Sequence, residues 1–324
     1  MSIPPATDGY EPWFSLVVIP DTQQFHIETT TIDDQTMVQW TNRPLERHID
    51  WILHNLLAHR IQFVTHVGDV VDQNIPEQWS WANICLSRLE GNIPFGISPG
   101  NHDMRPNGDS TLFQSTFPKS RFSHCEWYVD CYEPSKPSPC SGNNANSLQR
   151  LTILDQPWLF LHLECNAPDK VLEWANAHLE QNPEANVVVT VHMLLGPLER
   201  PKVPEGFFTD PKGVMNWKKR HGNFGNTGVE IWHKCLAKHD NIRLILCGDQ
   251  SRTQAMRRTL VRESGKPVPV LMNDYGNNWL RLLRISPLHN KFQVITFDNQ
   301  SEELCESTEI VPQLQEHQFE AQLG

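Results

Sequence analysis

The sequence lacks any apolar run that approaches the roughly 20 residues needed to cross a bilayer. Residues 1–13, MSIPPATDGYEPW, also lack the basic start and the apolar stretch of a secretory signal. We therefore expect no membrane partner, and we predict a cytoplasmic location.

Basic charge is scarce, with 27 Lys and Arg against 38 Asp and Glu, a formal net charge of −11. Proteins bind the phosphates of nucleic acids through clustered Lys and Arg, so this balance argues against a nucleic-acid partner. A small phosphorylated substrate remains compatible with it, because a bound metal ion can neutralise the phosphate. Composition gives no indication of oligomeric state.

The eight cysteines include no C-x-x-C pair, which argues against a zinc finger or a redox dithiol. Four of them stand in apolar surroundings, and we expect them to be small core residues: Cys85, Cys165, Cys235 and Cys247. Three others lie in one polar segment, where a disulfide and free thiols are both open and we favour free thiols: Cys125, Cys131 and Cys140.

Two short apolar runs end in the same way, with a glycine followed by metal-type side chains. Residues 61–67 are rich in β-branched residues and too short for a typical helix, so we predict a buried strand. Gly68 then permits a tight turn and Asp69 follows it. Residues 93–98 repeat the pattern, with Gly100 as the turn. The side chains displayed after that second turn are Asn101, His102 and Asp103.

Three further predicted strands end in polar residues. Residues 14–19, 186–191 and 242–247 are apolar runs of strand length. Open α/β sheets bind ligands at the carboxyl ends of their strands. We therefore predict that these ends meet the two described above in one site. The side chains they present are Asp21, Gln23, His192, Asp249 and Ser251. For Asp21 alone, capping of a turn is an alternative.

The combination of Gly68-Asp69-x-x-Asp72 with Gly100-Asn101-His102-Asp103 resembles the calcineurin-like metallophosphoesterases. The resemblance extends over residues 14–300. It implies a four-layer α/β/β/α sandwich, in which helices flank two mixed β-sheets. It also implies a single domain over residues 1–324, with insertion loops near 104–150 and 196–226.

The same resemblance implies a site for two divalent metal ions. Asp69 would bridge the ions, and His102 would protonate the leaving oxygen while Asp103 orients it. Asp72 is expected to brace the loop. The resemblance assigns Asp21 and Gln23 to the first ion and Asn101, His192 and Asp249 to the second.

The chain departs from this family pattern at two places. Asp21-Thr22-Gln23 replaces the usual Asp-x-His, and Gly248-Asp249-Gln250-Ser251 replaces the usual Gly-His-x-His. Asp249 can still bind a metal, whereas Ser251 is a poor ligand, so we expect the first-ion site to be the weaker one. Exchanging imidazole for oxygen favours Mn²⁺ or Mg²⁺ over Zn²⁺. Iron and zinc are the alternatives, and we expect one or two ions per chain.

The regions around these motifs leave several alternatives open. The segment 104–150 is either a substrate-specificity loop or a partly disordered surface loop. The basic residues 218–221 form either a solvated face or a phosphate contact, and Arg252 and Arg105 are either substrate contacts or surface residues. We predict a loop at residues 24–43, a helix at 44–60, and strands at 268–272, 280–285 and 292–297 that alternate like an antiparallel sheet.

The sequence thus predicts a metal-dependent phosphoesterase that hydrolyses a phosphomonoester or a small phosphodiester by direct attack of water. A non-catalytic descendant acting as a binding or scaffold module is the main alternative. A third possibility is an altered metal site with different hydrolytic or lyase chemistry.

Overall fold

The computed structural model describes residues 3–5, 8–32 and 35–324. Its strands are β1 (Phe14–Ile19), β2 (His26–Ile32), β3 (Gln35–Thr41), β4 (Ile61–His66), β5 (Phe95–Ile97), β6 (Tyr128–Cys131), β7 (Ser147–Ile153), β8 (Gln156–Leu163), β9 (Asn186–Val191), β10 (Leu195–Pro197), β11 (Lys212–Val214), β12 (Ile242–Cys247), β13 (Ala255–Val261), β14 (Pro267–Asn273), β15 (Trp279–Ser286), β16 (Lys291–Asp298) and β17 (Gln318–Gln322). Its α-helices are α1 (Arg43–Asn55), α2 (Pro76–Leu86), α3 (Thr111–Thr116), α4 (Lys119–Phe122), α5 (Asp169–Gln181), α6 (Gly206–Thr209) and α7 (Gly228–Lys234). Within these described ranges no helix is long and apolar enough to cross a membrane.

The described strands build two large mixed sheets, which confirms the predicted fold class. The first sheet has the order β17-β16-β15-β1-β4-β5, and the second has the order β13-β14-β12-β9-β8-β7-β6. Strands β1, β4 and β5 run parallel, as do β8, β9, β12 and β14. The carboxyl ends of these parallel strands therefore lie together at one edge of each sheet.

The two sheets pack face to face through an apolar layer. Phe63 of β4 stacks on Phe160 of β8 with ring centroids 3.8 Å apart, and Phe14 meets Trp158 edge-on at 5.0 Å. All four side chains are fully buried. Truncating a buried aromatic side chain of this kind typically lowers the free energy of unfolding by about 3–5 kcal/mol. This layer fixes the two sheets, and hence their strand ends, relative to each other.

Helices cover the outer face of each sheet. Ile49 and Ile52 of α1 and Trp79 of α2 pack in one core cluster with Val17 and Val64 of the first sheet. Helices α5 and α7 pack in the same way against the second sheet, through side chains that include Leu172, Leu179 and Ile231. The order helix, sheet, sheet, helix is the predicted four-layer sandwich.

Two local predictions are wrong. Residues 24–43 are not a loop throughout, because β2 and β3 pair as an antiparallel hairpin. The sequence does not signal the hairpin, because many of its side chains are exposed and its polar, threonine-rich stretch has no apolar alternation. Helix α1 ends at Asn55 rather than at residue 60, where Arg60 takes a left-handed φ of 48°.

The segment 104–150 is more regular than a surface loop. It contains α3, α4, β6 and the start of β7, and Phe113 and Phe117 are fully buried against Trp79. The eight cysteines all fall in the described residues and are free thiols, including the three of this region.

The strand predicted at 268–272 does not share one antiparallel sheet with those predicted at 280–285 and 292–297. Strand β14 joins the second sheet, antiparallel to β13 but parallel to β12. Its carboxyl end therefore lies beside that of β12. Strand direction depends on the pairing partner and is not encoded in the local alternation that indicated a strand.

Candidate active site

The strand ends that the sequence singled out converge at one edge of the sandwich. Ligand atoms of Asp21, Asp69 and His192, which follow β1, β4 and β9, lie within 4.8 Å of one another. All three residues are buried. A pocket of about 140 Å³ opens above them. It is lined by Gln23, Asp69, His102, Phe207, Lys219, Asp249, Gln250, Ser251, Arg252 and Asp274.

Glycine is required where these strand ends approach one another most closely. A Cβ at Gly68, where φ is +113°, would lie 2.4 Å from Nδ1 of His192. A Cβ at Gly248 would lie 2.2 Å from Oδ1 of Asp21. Neither contact leaves room for a side chain, so the two glycines let the backbone of one strand end reach the ligand atoms of the next.

The aspartates that follow these glycines hold a strained backbone. Asp69 has a φ of 51° and Asp249 has a φ of 75°. The left-handed region is uncommon for residues other than glycine, and such strain is concentrated at functional sites. Both aspartates are thereby turned towards the shared edge, one from each sheet.

Hydrogen bonding sets the tautomer of His192. Its Nδ1 lies 2.8 Å from the carbonyl oxygen of Val67, which can only accept, so Nδ1 carries the hydrogen. In a neutral ring the lone pair is then on Nε2. That atom lies 3.2 Å from Oδ1 of Asp69 and 3.4 Å from Oδ1 of Asp249. An imidazole held this way is arranged as a metal ligand.

Three donor atoms of the predicted set are buried without a hydrogen-bond partner among the described residues. They are Oδ1 of Asp21, Oδ1 of Asn101 and Nε2 of His192. Buried polar atoms are normally paired, because an unpaired one costs about 1–3 kcal/mol. The ligand atoms of Asp21 and His192 also lie within 4.8 Å of each other and of Asp69, so these three residues fit a divalent cation.

Electrostatics also favours a positive charge at this position. Burial raises the pKa of Asp21 well above its usual value, and the charge of Asp274 raises it further. Burial acts in the same direction on Asp69, but the charge of His192 outweighs it and lowers the pKa of that carboxyl. For His192 the effect of burial is outweighed by Asp69 and Asp249, and its pKa is raised well above the ordinary value. A cation bound among them would stabilise all the carboxylates in their charged form.

Asp103 takes a different role from the one expected. Asp103 does not orient His102, because its carboxylate accepts the backbone N–H groups of Gly100, Val70 and Val71 at 2.7–3.1 Å. It therefore braces both motif loops, the task expected of Asp72. His102 is instead held by Nδ1, which donates to the backbone oxygen of Asp72 at 2.6 Å.

Lys219 reaches the site, although its basic cluster was favoured as a solvated face. Its Nζ lies 2.5 Å from Oδ1 of Asp249. Burial lowers the pKa of Lys219, but the charge of Asp249 outweighs it and raises the pKa; the same pairing keeps the pKa of Asp249 low against the effect of burial. The strand-end pattern that indicated the other residues gives no signal for a lysine in a long loop.

Asp274 is a second residue that sequence reasoning missed. It follows β14 directly, is buried and lines the pocket. Burial, together with the charges of Asp69 and Asp249, raises its pKa to about 7. The signal was present, since an acidic residue follows a strand, but the assumed strand direction placed it elsewhere.

The family described as calcineurin-like phosphoesterase has a model that matches residues 14–253, more than half of the chain. The chain belongs to this family. Its members are mostly metal-dependent phosphoesterases, and the cluster of Asp21, Asp69 and His192 is consistent with that chemistry.

Individual relatives are distant. The uncharacterized protein YvnB of Bacillus subtilis (strain 168) is 24% identical over 310 residues, which cover 91% of this chain but only 20% of that protein. The chain thus spans about a fifth of the length of that relative. A 5'-nucleotidase precursor from Thermus thermophilus is 14% identical with a TM-score of 0.46, covering 90% of this chain and 52% of that chain. The NAD nucleotidase NadN of Haemophilus influenzae is 13% identical with a TM-score of 0.43, covering 90% and 48%.

The calcineurin-like pattern is altered at Gln23 and Ser251, as the sequence indicated. Nε2 of Gln23 donates to Oδ2 of Asp69 at 2.8 Å, so in this conformation its nitrogen faces that carboxylate. Its amide must turn for the oxygen to bind a metal. Ser251 is exposed on the pocket wall rather than buried with the ligand atoms.

The two candidate substrate arginines differ. Arg252 lines the pocket, and its guanidinium lies 5.3 Å from the ring centroid of Phe207. Arg105 has a side chain 74% exposed, lies 4.0 Å from Asp109 and is not among the pocket residues. The geometry keeps Arg252 as a candidate and gives Arg105 no contact with the pocket.

A serine nucleophile is not available at the second motif. Residues 96–100 read Gly-Ile-Ser-Pro-Gly, which has the Gly-x-Ser-x-Gly spacing of a nucleophile elbow. Ser98 is fully buried, however, and its hydroxyl donates to the backbone oxygen of Leu163. The spacing therefore serves the turn that presents Asn101.

Proposed function

We propose that the protein is a metal-dependent phosphoesterase that hydrolyses a phosphomonoester or a small phosphodiester by direct attack of water, without a phosphoenzyme. The observation that carries the proposal is the buried cluster of Asp21, Asp69 and His192, whose ligand atoms lie within 4.8 Å of one another beneath an open pocket. This set supports metal-assisted chemistry on a ligand that enters from solvent.

The predicted ligands are mainly oxygen donors. Asp21, Asp69 and His192 would hold a divalent ion, and the resemblance adds Gln23, Asn101 and Asp249 as candidates. A set with one imidazole among carboxylate and amide oxygens favours Mn²⁺ or Mg²⁺, with iron or zinc as alternatives. A divalent ion supplies positive charge to phosphoryl oxygens and lowers the pKa of water.

His102 is the proposed general acid. Its Nδ1 is held by Asp72, which leaves Nε2 as the nitrogen available to the pocket that the ring lines. A proton on Nε2 can pass to the leaving oxygen as the ester bond breaks. The backbone N–H of His102 donates to Oδ1 of Asp69 at 2.7 Å, which keeps the acid next to the metal ligands.

The size of the pocket limits what enters it. Its volume of about 140 Å³ is below the 300–1,000 Å³ typical of sites that enclose a whole small molecule. We infer that a phosphoryl group enters and that the rest of the substrate lies across the rim. Arg252, held over Phe207, is the proposed contact for the charged substrate there.

A binding or scaffold module is the second candidate. The ion pair of Lys219 with Asp249 favours it, because a predicted ligand oxygen is already occupied. A measurement of phosphate-ester hydrolysis distinguishes the phosphoesterase from the scaffold module.

The test is metal content together with hydrolysis of an aryl phosphate monoester and diester in the presence of Mn²⁺. The wild type should bind Mn²⁺ and turn over at least one of the two esters. Asp69→Asn should lose both properties, and the exposed Asp240→Asn should keep them. A folded wild type with neither metal nor turnover would support the scaffold candidate instead.

A further inference from the structure

Lys219 is a partly buried cation, with a side chain 24% exposed, at the position where the family resemblance implies a metal ion. Its Nζ lies 2.5 Å from Oδ1 of Asp249, and Nε2 of His192 lies 3.4 Å from the same oxygen. The other oxygen of Asp249 accepts from Nε2 of Gln250 at 2.7 Å. Both oxygens of this predicted ligand therefore already have donors.

The carboxylate of Asp21, unlike that of Asp249, has an oxygen without a hydrogen-bond donor in the described part of the chain. Its Oδ2 accepts the backbone N–H of Asp249 at 3.1 Å, whereas its Oδ1 is buried and has no partner among the described residues. The cluster of atoms close enough to share one ion contains Asp21, Asp69 and His192 and does not include Asp249. Within the described ranges, Asp21 thus keeps one carboxylate oxygen without a donor, whereas Asp249 keeps none.

Hydrogen bonds hold the loop that carries Lys219 against the site. Oδ1 of Asn166 accepts the backbone N–H groups of Lys219 and Arg220 at 2.8 and 3.1 Å. The side chain of Arg220 donates from Nε to the backbone oxygen of Asn101 at 2.7 Å. Trp217 is buried, and the centroid of its ring lies 5.7 Å from Nζ of Lys219. These contacts fix the backbone on both sides of the lysine and direct its side chain into the site.

We propose that the ammonium of Lys219 takes the place of the ion that Asn101, His192 and Asp249 would otherwise hold, so that the chain binds a single divalent ion through Asp21, Asp69 and His192. An ammonium on Asp249 occupies a ligand oxygen and repels a second divalent cation. This reverses the expectation from the sequence, in which the first-ion site was the weaker one. The inference rests on the proposed function but is tested by counting ions rather than by turnover.

The experiment measures Mn²⁺ per chain by elemental analysis after dialysis, for the wild type, Lys219→Met and Lys218→Met. Lys219→Met removes the charge and keeps the length of the side chain. Lys218→Met is the matched control, because Nζ of Lys218 donates to the backbone oxygen of Gly225 and not to a site residue. We expect one ion in the wild type and in Lys218→Met, and two in Lys219→Met.

Electron paramagnetic resonance of the same samples provides a second measurement. An isolated Mn²⁺ should give an uncoupled spectrum in the wild type, and a neighbouring pair should give an exchange-coupled spectrum in Lys219→Met. If Lys219→Met fails to fold, Lys219→Gln, which also removes the positive charge but is shorter and polar, replaces it with the same expected count of two.

Any other count of ions in the folded proteins overturns the proposal. Two ions in the wild type would mean that the ammonium of Lys219 does not exclude the second ion. One ion in both folded Lys219 variants would mean that another feature limits the number of ions per chain. A wild type without any ion would overturn this inference and the proposed function together. A change from one ion to two without hydrolysis by any sample would support the inference while contradicting the proposed function.

Discussion

The two sheets contribute unequal halves to the candidate site. The half from the first sheet consists of Asp21, Gln23, Asp69 and Asn101. In it, Oδ1 of Asp21 and Oδ1 of Asn101 are buried without partners among the described residues. The half from the second sheet, His192, Asp249 and Asp274, already contains the ammonium of Lys219. Both halves use a glycine followed by an aspartate with positive φ at the end of a parallel strand, at Asp69 and at Asp249.

The comparison shows that a strand-end motif fixes where a carboxylate lies but not what it binds. Asp69 and Asp249 have the same backbone geometry, yet one belongs to a set of converging ligand atoms and the other is paired with an anchored lysine. The partner is decided by the loop that folds over the strand end. The same substitution made in each half should therefore have unequal effects on metal binding.

The largest expected difference is between Asp21→Asn and Asp249→Asn, the same change in the two halves. Loss of an outer partner of a metal ligand costs about 10–100-fold in metal affinity, so loss of a direct ligand at Asp21 should cost more than about 100-fold. Asp249→Asn should cost less than about tenfold, because Lys219 rather than the metal ion uses that carboxylate. Isothermal titration with Mn²⁺ measures both affinities, and equal losses would contradict the comparison.

His102→Gln should lower the rate of hydrolysis without changing metal binding in the first half. His102 lines the pocket but is not among the convergent donor atoms. Loss of a general acid typically lowers the rate about 10²–10⁴-fold, so kcat should fall by that factor while the Mn²⁺ content stays that of the wild type. The exposed His124→Gln serves as the control. Loss of metal in His102→Gln would assign the residue to the metal site instead.

The smallest expected effect concerns the rim beside the second half. Arg252→Glu should raise KM by about tenfold or more with little change in kcat, since a hydrogen bond to a charged group contributes about 1.5–3 kcal/mol. Arg105→Glu makes the same change of charge outside the pocket and should leave KM unaltered. Steady-state kinetics on the better aryl phosphate measures both, and a similar shift in the two variants would indicate only a long-range charge effect.

Much of the fold was predictable because its central strands are short apolar runs buried on both faces. β1, β9 and β12 have the bounds that the sequence indicated. The first half of the site was predictable for the same reason, since each of its residues follows closely after such a strand.

The rest of the site depends on contacts between segments distant in sequence. Lys219 reaches Asp249 because Asn166, which lies just after β8, holds its backbone, and no periodic pattern in the loop signals this. Asp274 faces the pocket because β14 pairs parallel to β12, and a local alternation of side chains carries no information about direction. Strand-end motifs alone therefore identify neither residue.

The most direct test of the unequal halves is a crystal structure of the wild-type protein with Mn²⁺, with anomalous scattering recorded at the manganese edge. We predict one anomalous peak in contact with Asp21, Asp69 and His192, and Nζ of Lys219 in contact with Asp249. Two peaks, or a single peak held by Asn101 and Asp249 with Lys219 displaced, would contradict the account.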